Sequence, residues 1–437
     1  MPRAARVLAS TLGLALLIGA GAAAATLSSP LLGADLESIV RRLAQSVREN
    51  YVFPDKGEQA ATMLESNLER GEYAGLDNAR LAERLSRDLR ELTGDRHFGV
   101  RPAPTRSQDD ALVRSFTPRP SGTMGFERVE RLEGNIGYVD LREFAPRAFA
   151  EPTVHAAMRL LQGADALIFD LRRNGGGDPE TVQAVCSYLF DPDEPVHLNS
   201  LYFRPTDETT EFWTQPEILE SDAMPETPVW VLTSSYTFSG GEEFAYNLQS
   251  RKRATVVGET TGGGAHPVDA FPIGEDAIVA FIPVGRAINP VTGDNWEGKG
   301  VAPDVPVPAE RALDVAIDQA LARMADSDDP AKAEQAAWAL TGRLAHAGGL
   351  ATSEATMFEL AGSYGERQIE RRDGALWYTR TGVSATPRRL VRVGDDTFVV
   401  EGVPDFKLVF NRDHDGRVSG VTGHYRHRGP DSNARED

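Results

Sequence analysis

A single cysteine, Cys186, occurs in the 437 residues. That rules out an internal disulfide framework, a cysteine-ligated zinc site and an iron–sulfur cluster. Positive charge is scarce as well: Lys and Arg number 46 against 65 Asp and Glu, a net charge of −19. A phosphate backbone repels such a surface unless the basic residues cluster, and no cluster occurs, so no nucleic-acid partner is expected. No long apolar segment follows the first 25 residues. HExxH and the Gly-Lys-Ser/Thr P-loop are missing, and the glycines after Asp170 lack the third glycine of a dinucleotide fingerprint.

The chain begins with a signal-like segment, residues 1–25. Arg3 and Arg6 precede the apolar run Val7–Ile18, and Ala22–Ala25 offers small-residue cleavage sites. The apolar run is about a dozen residues, short of the ~20 that span a bilayer. A secreted or periplasmic protein is expected, with no stable membrane insertion after cleavage.

Length suggests two to four structural units. Residues 26–100 read as an N-terminal helical domain, with Leu36, Ile39, Val40, Leu43 and Val47 at helical spacing. Pro54 breaks this region after the aromatic turn Tyr51-Val52-Phe53. Residues 101–308 alternate between strands and helices, starting with a loop over 100–125. Buried strands are expected at Ala166–Leu171, Val229–Thr233 and Ala254–Gly258, each feeding a polar or Gly-rich loop. Residues 309–348 read as a helical linker and 349–437 as a small antiparallel β domain. Within the latter, Asn411, Asp413, Asp415 and Gly416 imitate the start of a calcium loop. Position 12 is Thr422 and not Glu, so a hairpin turn is expected.

Ser239 is the strongest chemical signal. It stands in Thr233–Ala245, where a buried strand ends, a turn follows and a helix begins. A helix start supplies positive potential and free N–H groups for an oxyanion. The same place suits an ordinary N-cap, since Ser239 with Glu242 three residues on matches a capping box. A nucleophilic serine also needs a base. His97, in Gly94-Asp95-Arg96-His97-Phe98, is one candidate, and His266, behind the glycines 262–264, is its rival. In Asp170–Gly177, three glycines at a strand end allow backbone N–H groups to converge, although taken alone they fit a plain strand-to-helix turn better.

Taken together, Asp170–Gly177, Thr233–Glu243, Val257–Gly264 and Glu297–Asp304 occur in the order of the tail-specific protease family. That family includes C-terminal processing proteases, the tricorn core and interphotoreceptor retinoid-binding protein modules. The segment with Asn50–Asp55 and Asp95-Arg96-His97 looks like the N-terminal domain of the retinoid-binding-protein branch. The resemblance covers about residues 34–308 and implies an α/β fold. Its ClpP/crotonase-like catalytic core would carry an N-terminal helical domain and a small C-terminal antiparallel β domain.

It further implies an exported serine peptidase acting on peptide or protein substrates. Processing proteases pair their serine with a lysine, but that position aligns with Gly264, and no lysine lies between Lys252 and Lys299. The tricorn-like scheme maps instead onto Ser239, His97 and Glu297. Arg96 stands where that scheme has a second serine, which leaves the link from Glu297 to His97 direct, through water or through another hydroxyl. The oxyanion would be held by the N–H of Gly240 and one from Gly175 or Gly176. Glu297 is expected to raise the pKa of His97. No metal or cofactor is needed. The interval 101–133 is too short for a PDZ module. The alternative reading is a catalytically silent module that binds hydrophobic ligands, as the retinoid-binding relatives show.

Overall fold

The computed structural model describes residues 33–103, 122–215, 217–218, 221–274 and 277–436. The expected signal segment, 1–25, lies outside them, as does most of the 100–125 loop.

Three amphipathic helices come first: α1 (Gly33–Asn50), α2 (Pro54–Glu69) and α3 (Asn78–Thr93). Pro54 opens α2, where its missing N–H costs nothing. Asp77 caps α3 by accepting the Arg80 N–H, and Gly94 ends it in the left-handed conformation. These helices do not close a core alone. Their apolar faces bury Phe98 and the Val100 of β1 (Gly99–Pro102) that follows it, together with Ile273, Ile278, Ala280 and Ile282. The last four belong to a hairpin contributed from far along the chain. Next to the pairing of β1 with that hairpin, Asp95 and Arg96 meet His266 and Gly262.

The central sheet has six strands. β2 (Phe126–Leu132) and β3 (Ile136–Leu141) form a hairpin, and β4 (Ala166–Asp170) runs parallel to β3. After the antiparallel pair β5 (His197–Phe203) and β6 (Glu208–Trp213), the chain re-enters the central sheet. It adds β7 (Val229–Thr233) beside β4 and β8 (Ala254–Gly258) beside β7. β9 (Val268–Ile273) and β10 (Ile278–Pro283) make the distant hairpin, β11 (Gly285–Ile288) joins β5, and β12 (Val305–Pro306) ends the sheet beside β8. Strands β4 and β7 are buried on both faces, so their sequences are continuous apolar runs.

One face of the sheet is covered by α4 (Arg147–Leu161), α5 (Pro179–Ser187) and α6 (Gly240–Ser250). Phe244 of α6 is fully buried, 5.1 Å from the ring of Phe169 and 5.8 Å from that of Phe144. Truncating it to Ala would cost about 3–5 kcal/mol, a large share of ordinary domain stability. The other face is covered by α7 (Ala309–Ala325), with Ala312, Ala316 and Ala320 pressed on Ile136, Ile168 and Leu232 in one core. Small residues four apart let this helix sit close. The segment expected as a helical linker is thus two helices, α7 and α8 (Pro330–His346), and the first forms a layer of the core. Asp329-Pro330 separates them, Asp329 accepting the Ala331 N–H.

α9 (Glu354–Leu360) then leads into eight antiparallel strands in sequence order, β13 to β20, from Gly362–Tyr364 to Arg428–Ala434. The expected C-terminal β domain is present with its own core. At the imitation calcium loop the chain turns, Asp413 Oδ1 accepting the N–H groups of Asp415 and Arg417 at 2.9 Å each.

Candidate active site

Register places Asp170, Leu232 and Val257 abreast, so the loops after β4, β7 and β8 leave the same carboxyl edge of the sheet. This is where parallel α/β sheets present ligand-binding loops. The loops are laced together. Phe238 N–H donates to Asn174 O (3.1 Å), Gly262 N–H to Thr237 O (2.9 Å) and Gly298 N–H to Gly263 O (3.1 Å).

Ser239 occupies the turn from β7 into α6 with φ 53° and ψ −121°. An ordinary N-cap has extended backbone. A β-substituted residue at positive φ is strained, at about 1–3 kcal/mol, and such strain gathers at functional sites. The capping explanation does not account for it. The backbone of Gly176 explains how the turn fits: a Cβ there would lie 2.7 Å from Ser239 Cβ.

Glu242 holds the turn in place. Its Oε2 accepts the N–H groups of Ser239 (2.9 Å) and Gly264 (2.8 Å), and its Oε1 accepts from Gly263 N–H (2.6 Å) and the Thr261 hydroxyl (2.5 Å). Burial pushes this carboxyl's pKa up while the four hydrogen bonds oppose the rise. The capping-box spacing pointed at Glu242 only as a helix cap. In the structure it ties the Ser239 turn to the 261–264 loop.

His97 packs its ring 4.6 Å from that of Phe238, the residue before Ser239. Gly264 is required by that packing: a Cβ would fall 2.5 Å from His97 Cε1 and 2.2 Å from Phe238 Cζ. The space beside Gly264 is therefore filled by an imidazole from another part of the chain. His97 Nδ1 is buried with no hydrogen-bond partner, and so is Glu297 Oε1. The other oxygen of Glu297 accepts the Ala265 N–H at 2.6 Å. One donor atom each from His97, Asp95 and Glu297 lies within 4.8 Å of the others, a span that one bridging water can cover. These three side chains are also the set, among the described residues, close enough to hold a metal ion.

Two residues complete the cluster. Asp95 Oδ1 accepts the His97 backbone N–H at 3.0 Å, and its Oδ2 lies 2.6 Å from His266 Nδ1. The same His266 nitrogen is 3.5 Å from Glu297 Oε2. The rival histidine thus stands between two carboxylates, whereas His97 stands beside Phe238. Burial lowers the pKa of His97 to about 4, and the charge that opposes this is Asp95. The expected upward shift by Glu297 does not occur, because desolvation outweighs the nearby negative charge. Burial and the Asp95 charge push Glu297 up, to about 7, with His266 and the Ala265 N–H opposing.

The expected oxyanion donors are differently engaged. Gly175 N–H donates to Arg142 O (3.2 Å) and Gly176 N–H to Asn174 Oδ1 (2.8 Å). Gly240, at the first turn of α6, has no backbone acceptor among the described residues. Neither Asn174 nor Asp95 was singled out by sequence. A side chain folding back two residues onto its own loop leaves no periodic signal.

A strained serine on a strand-to-helix elbow, with an imidazole packed on the ring of the residue before it, gathers residue types that nucleophilic serine hydrolases use. Residues 135–307 match Peptidase family S41, and residues 24–124 match the N-terminal domain of Peptidase_S41 in eukaryotic IRBP. The chain is 32% identical over 147 residues to a carboxyl-terminal-processing protease of Synechocystis sp., covering 33% of this chain and 32% of that one. It is 27% identical over 183 residues to the carboxy-terminal-processing protease of Bartonella bacilliformis, covering 40% of each. These matches span less than half the length of either relative. Among solved structures, the photosystem II D1 C-terminal processing protease shares 15% identity and a TM-score of 0.43, over 63% of this chain and 93% of that one. Residues 24–124 and 135–307 thus match the tail-specific, S41 protease family. Among the described residues, no helix is long and apolar enough to cross a membrane.

Proposed function

We propose that this chain is an exported serine peptidase that hydrolyses peptide bonds with Ser239, His97 and Glu297. The observation that carries the reading is the strained backbone of Ser239 at the carboxyl edge of the sheet. Ser239 Oγ attacks the scissile carbonyl while His97 takes its proton. The N–H of Gly240 faces the oxyanion, and a second donor comes from the Gly175–Gly176 segment once one of its amides gives up its present acceptor. His97 then protonates the leaving amine, an acyl group remains on Ser239, and water releases it by the reverse proton path. Ionised Glu297 supports the imidazolium, through one water that joins the two orphaned buried atoms. The C-terminal processing relatives make peptide and protein chains the substrate class. Export rests on the signal-like residues 1–25. The ligand-binding alternative is not favoured, since it leaves the strained backbone of Ser239 without a purpose.

The test is fluorophosphonate labelling together with hydrolysis of an unstructured peptide mixture. Ser239→Ala is expected to lose both while remaining folded. His97→Ala should abolish single-turnover acylation, and His266→Ala should leave a measurable rate. Wild-type turnover in Ser239→Ala would sink the assignment, and loss in His266→Ala with retention in His97→Ala would exchange the two histidines.

A further inference from the structure

Beside the elbow lies a cavity of about 390 Å³, lined by Arg90, Arg96, Gly175, Ser235, Tyr236 and Phe238. It shares walls with the reacting groups. Phe238 precedes Ser239 and packs on the His97 ring, and Gly175 precedes the glycine that lies against Ser239. A substrate held at Ser239 therefore places a neighbouring residue in this cavity.

Its charge runs against that of the molecule. The chain carries −19 overall, yet among the described residues the lining has two guanidinium groups and no carboxylate. Both arginines are solvent-exposed, unlike the half-buried Arg142 and Arg172, which pair with Asp140 and Asp170. Neither Arg90 nor Arg96 has a carboxylate partner among the described residues. Each is instead anchored by one edge to a backbone carbonyl. Arg90 Nε donates to Phe98 O at 2.5 Å, and Arg96 Nη1 donates to Gly262 O. Arg96 also stands over the Phe238 ring, 5.9 Å from its centroid. A guanidinium has five N–H donors, so anchoring by one edge leaves a fork for a planar anion. The Tyr236 ring, 66% exposed, offers an apolar wall to the carbon chain bearing that anion.

We infer that this cavity is a specificity subsite for a carboxylate of the peptide substrate, held by Arg90 and Arg96 next to the scissile bond. The inference rests on the serine-peptidase reading and names its substrate class. The carboxylate comes from an Asp or Glu side chain or from a free chain terminus.

Two matched peptide pairs separate those sources. One pair differs by Glu against Gln beside the scissile bond, on either side, and the other by a free against an amidated C-terminus. At least one pair should show about a tenfold or greater kcat/KM preference for the acid, the scale of a charge-assisted hydrogen bond. The preference should shrink as salt is raised. In Arg90→Gln and in Arg96→Gln the acid-to-amide ratio should fall toward one, while Arg90→Lys and Arg96→Lys should keep part of it. Because the readout is a ratio within each variant, a general loss of activity does not mimic it. Labelling of Ser239 by a fluorophosphonate runs in parallel. Labelled, active enzyme with no acid preference in either pair, or with a preference untouched in both Gln variants, overturns the subsite and leaves the peptidase standing. Failure of wild-type protein to label or to cleave any peptide overturns the peptidase reading, and the subsite with it.

Discussion

His97 and Glu297 are driven apart in acidity by the same burial. His97 is held neutral down to about pH 4, and Glu297 keeps its proton up to about pH 7. A base must be neutral and its supporting carboxylate ionised, so the acid limb of kcat/KM follows whichever group titrates higher. That group is Glu297. The limb is expected close to neutrality, and Glu297→Gln should move it to lower pH, toward the value of His97, with a reduced plateau. A pH–rate profile of the two proteins checks this, and an unmoved limb would remove Glu297 from the machinery. At this scale the sequence was legible where chemistry and local backbone coincide. Ser239 sits between an apolar strand and a helix, and Gly264 lies in a glycine run after a strand. It was silent on Asp95 with His266, which meet at 2.6 Å across 171 positions. It was equally silent on burial, which reverses the shift expected for His97.

Helix α6 carries a second buried carboxylate one turn in from the elbow. Glu243 is 6% exposed, and the amide of Asn199 donates to its Oε1 at 3.2 Å. Desolvation raises its pKa to about 7, against the hydrogen bonds from Asn199 and Asn247. The native state therefore holds a proton that the unfolded chain releases near ~4.3. The stability this gives is present below that value and is lost as pH rises through about 7. Glu243→Gln keeps the amide contact without the charge. Thermal unfolding should show its Tm falling less than that of wild type between about pH 5 and 8, with the variant the more stable at the upper end. Parallel Tm curves would contradict the assignment. Elements such as β4 and β7 were legible because burial on both faces leaves apolar runs. The β9–β10 hairpin was not. Its alternation is weak around Pro272, and its partner β1 lies about 180 positions away, beyond any local pattern. The break between α7 and α8 was marked by Asp329-Pro330, a start signal hidden within an alanine-rich stretch.

For the whole molecule, the distribution of cores decides which part can be removed. Every residue assigned to chemistry or to the arginine subsite lies before position 300, and α7 seals the far face of their sheet. The β13–β20 sheet closes its own core around Phe398, Leu408, Phe410 and Val421. Its links to the rest, among the described residues, include two made by basic side chains. Lys407 Nζ lies 3.9 Å from the centroid of the Trp338 ring, and Arg426 pairs with Glu133 at 3.2 Å. Exposed ion pairs contribute about 0–1 kcal/mol each, so breaking them costs the catalytic unit little. Trp338, 7% exposed in the whole chain, loses the cover of Lys407. A chain ending at residue 348 retains α7 and α8 complete. It should fold, label at Ser239 and cleave a short unstructured peptide with a kcat/KM of the same order as the full chain. A folded 1–348 chain that neither labels nor cleaves would mean that the C-terminal sheet orders the loops of the active site from a distance.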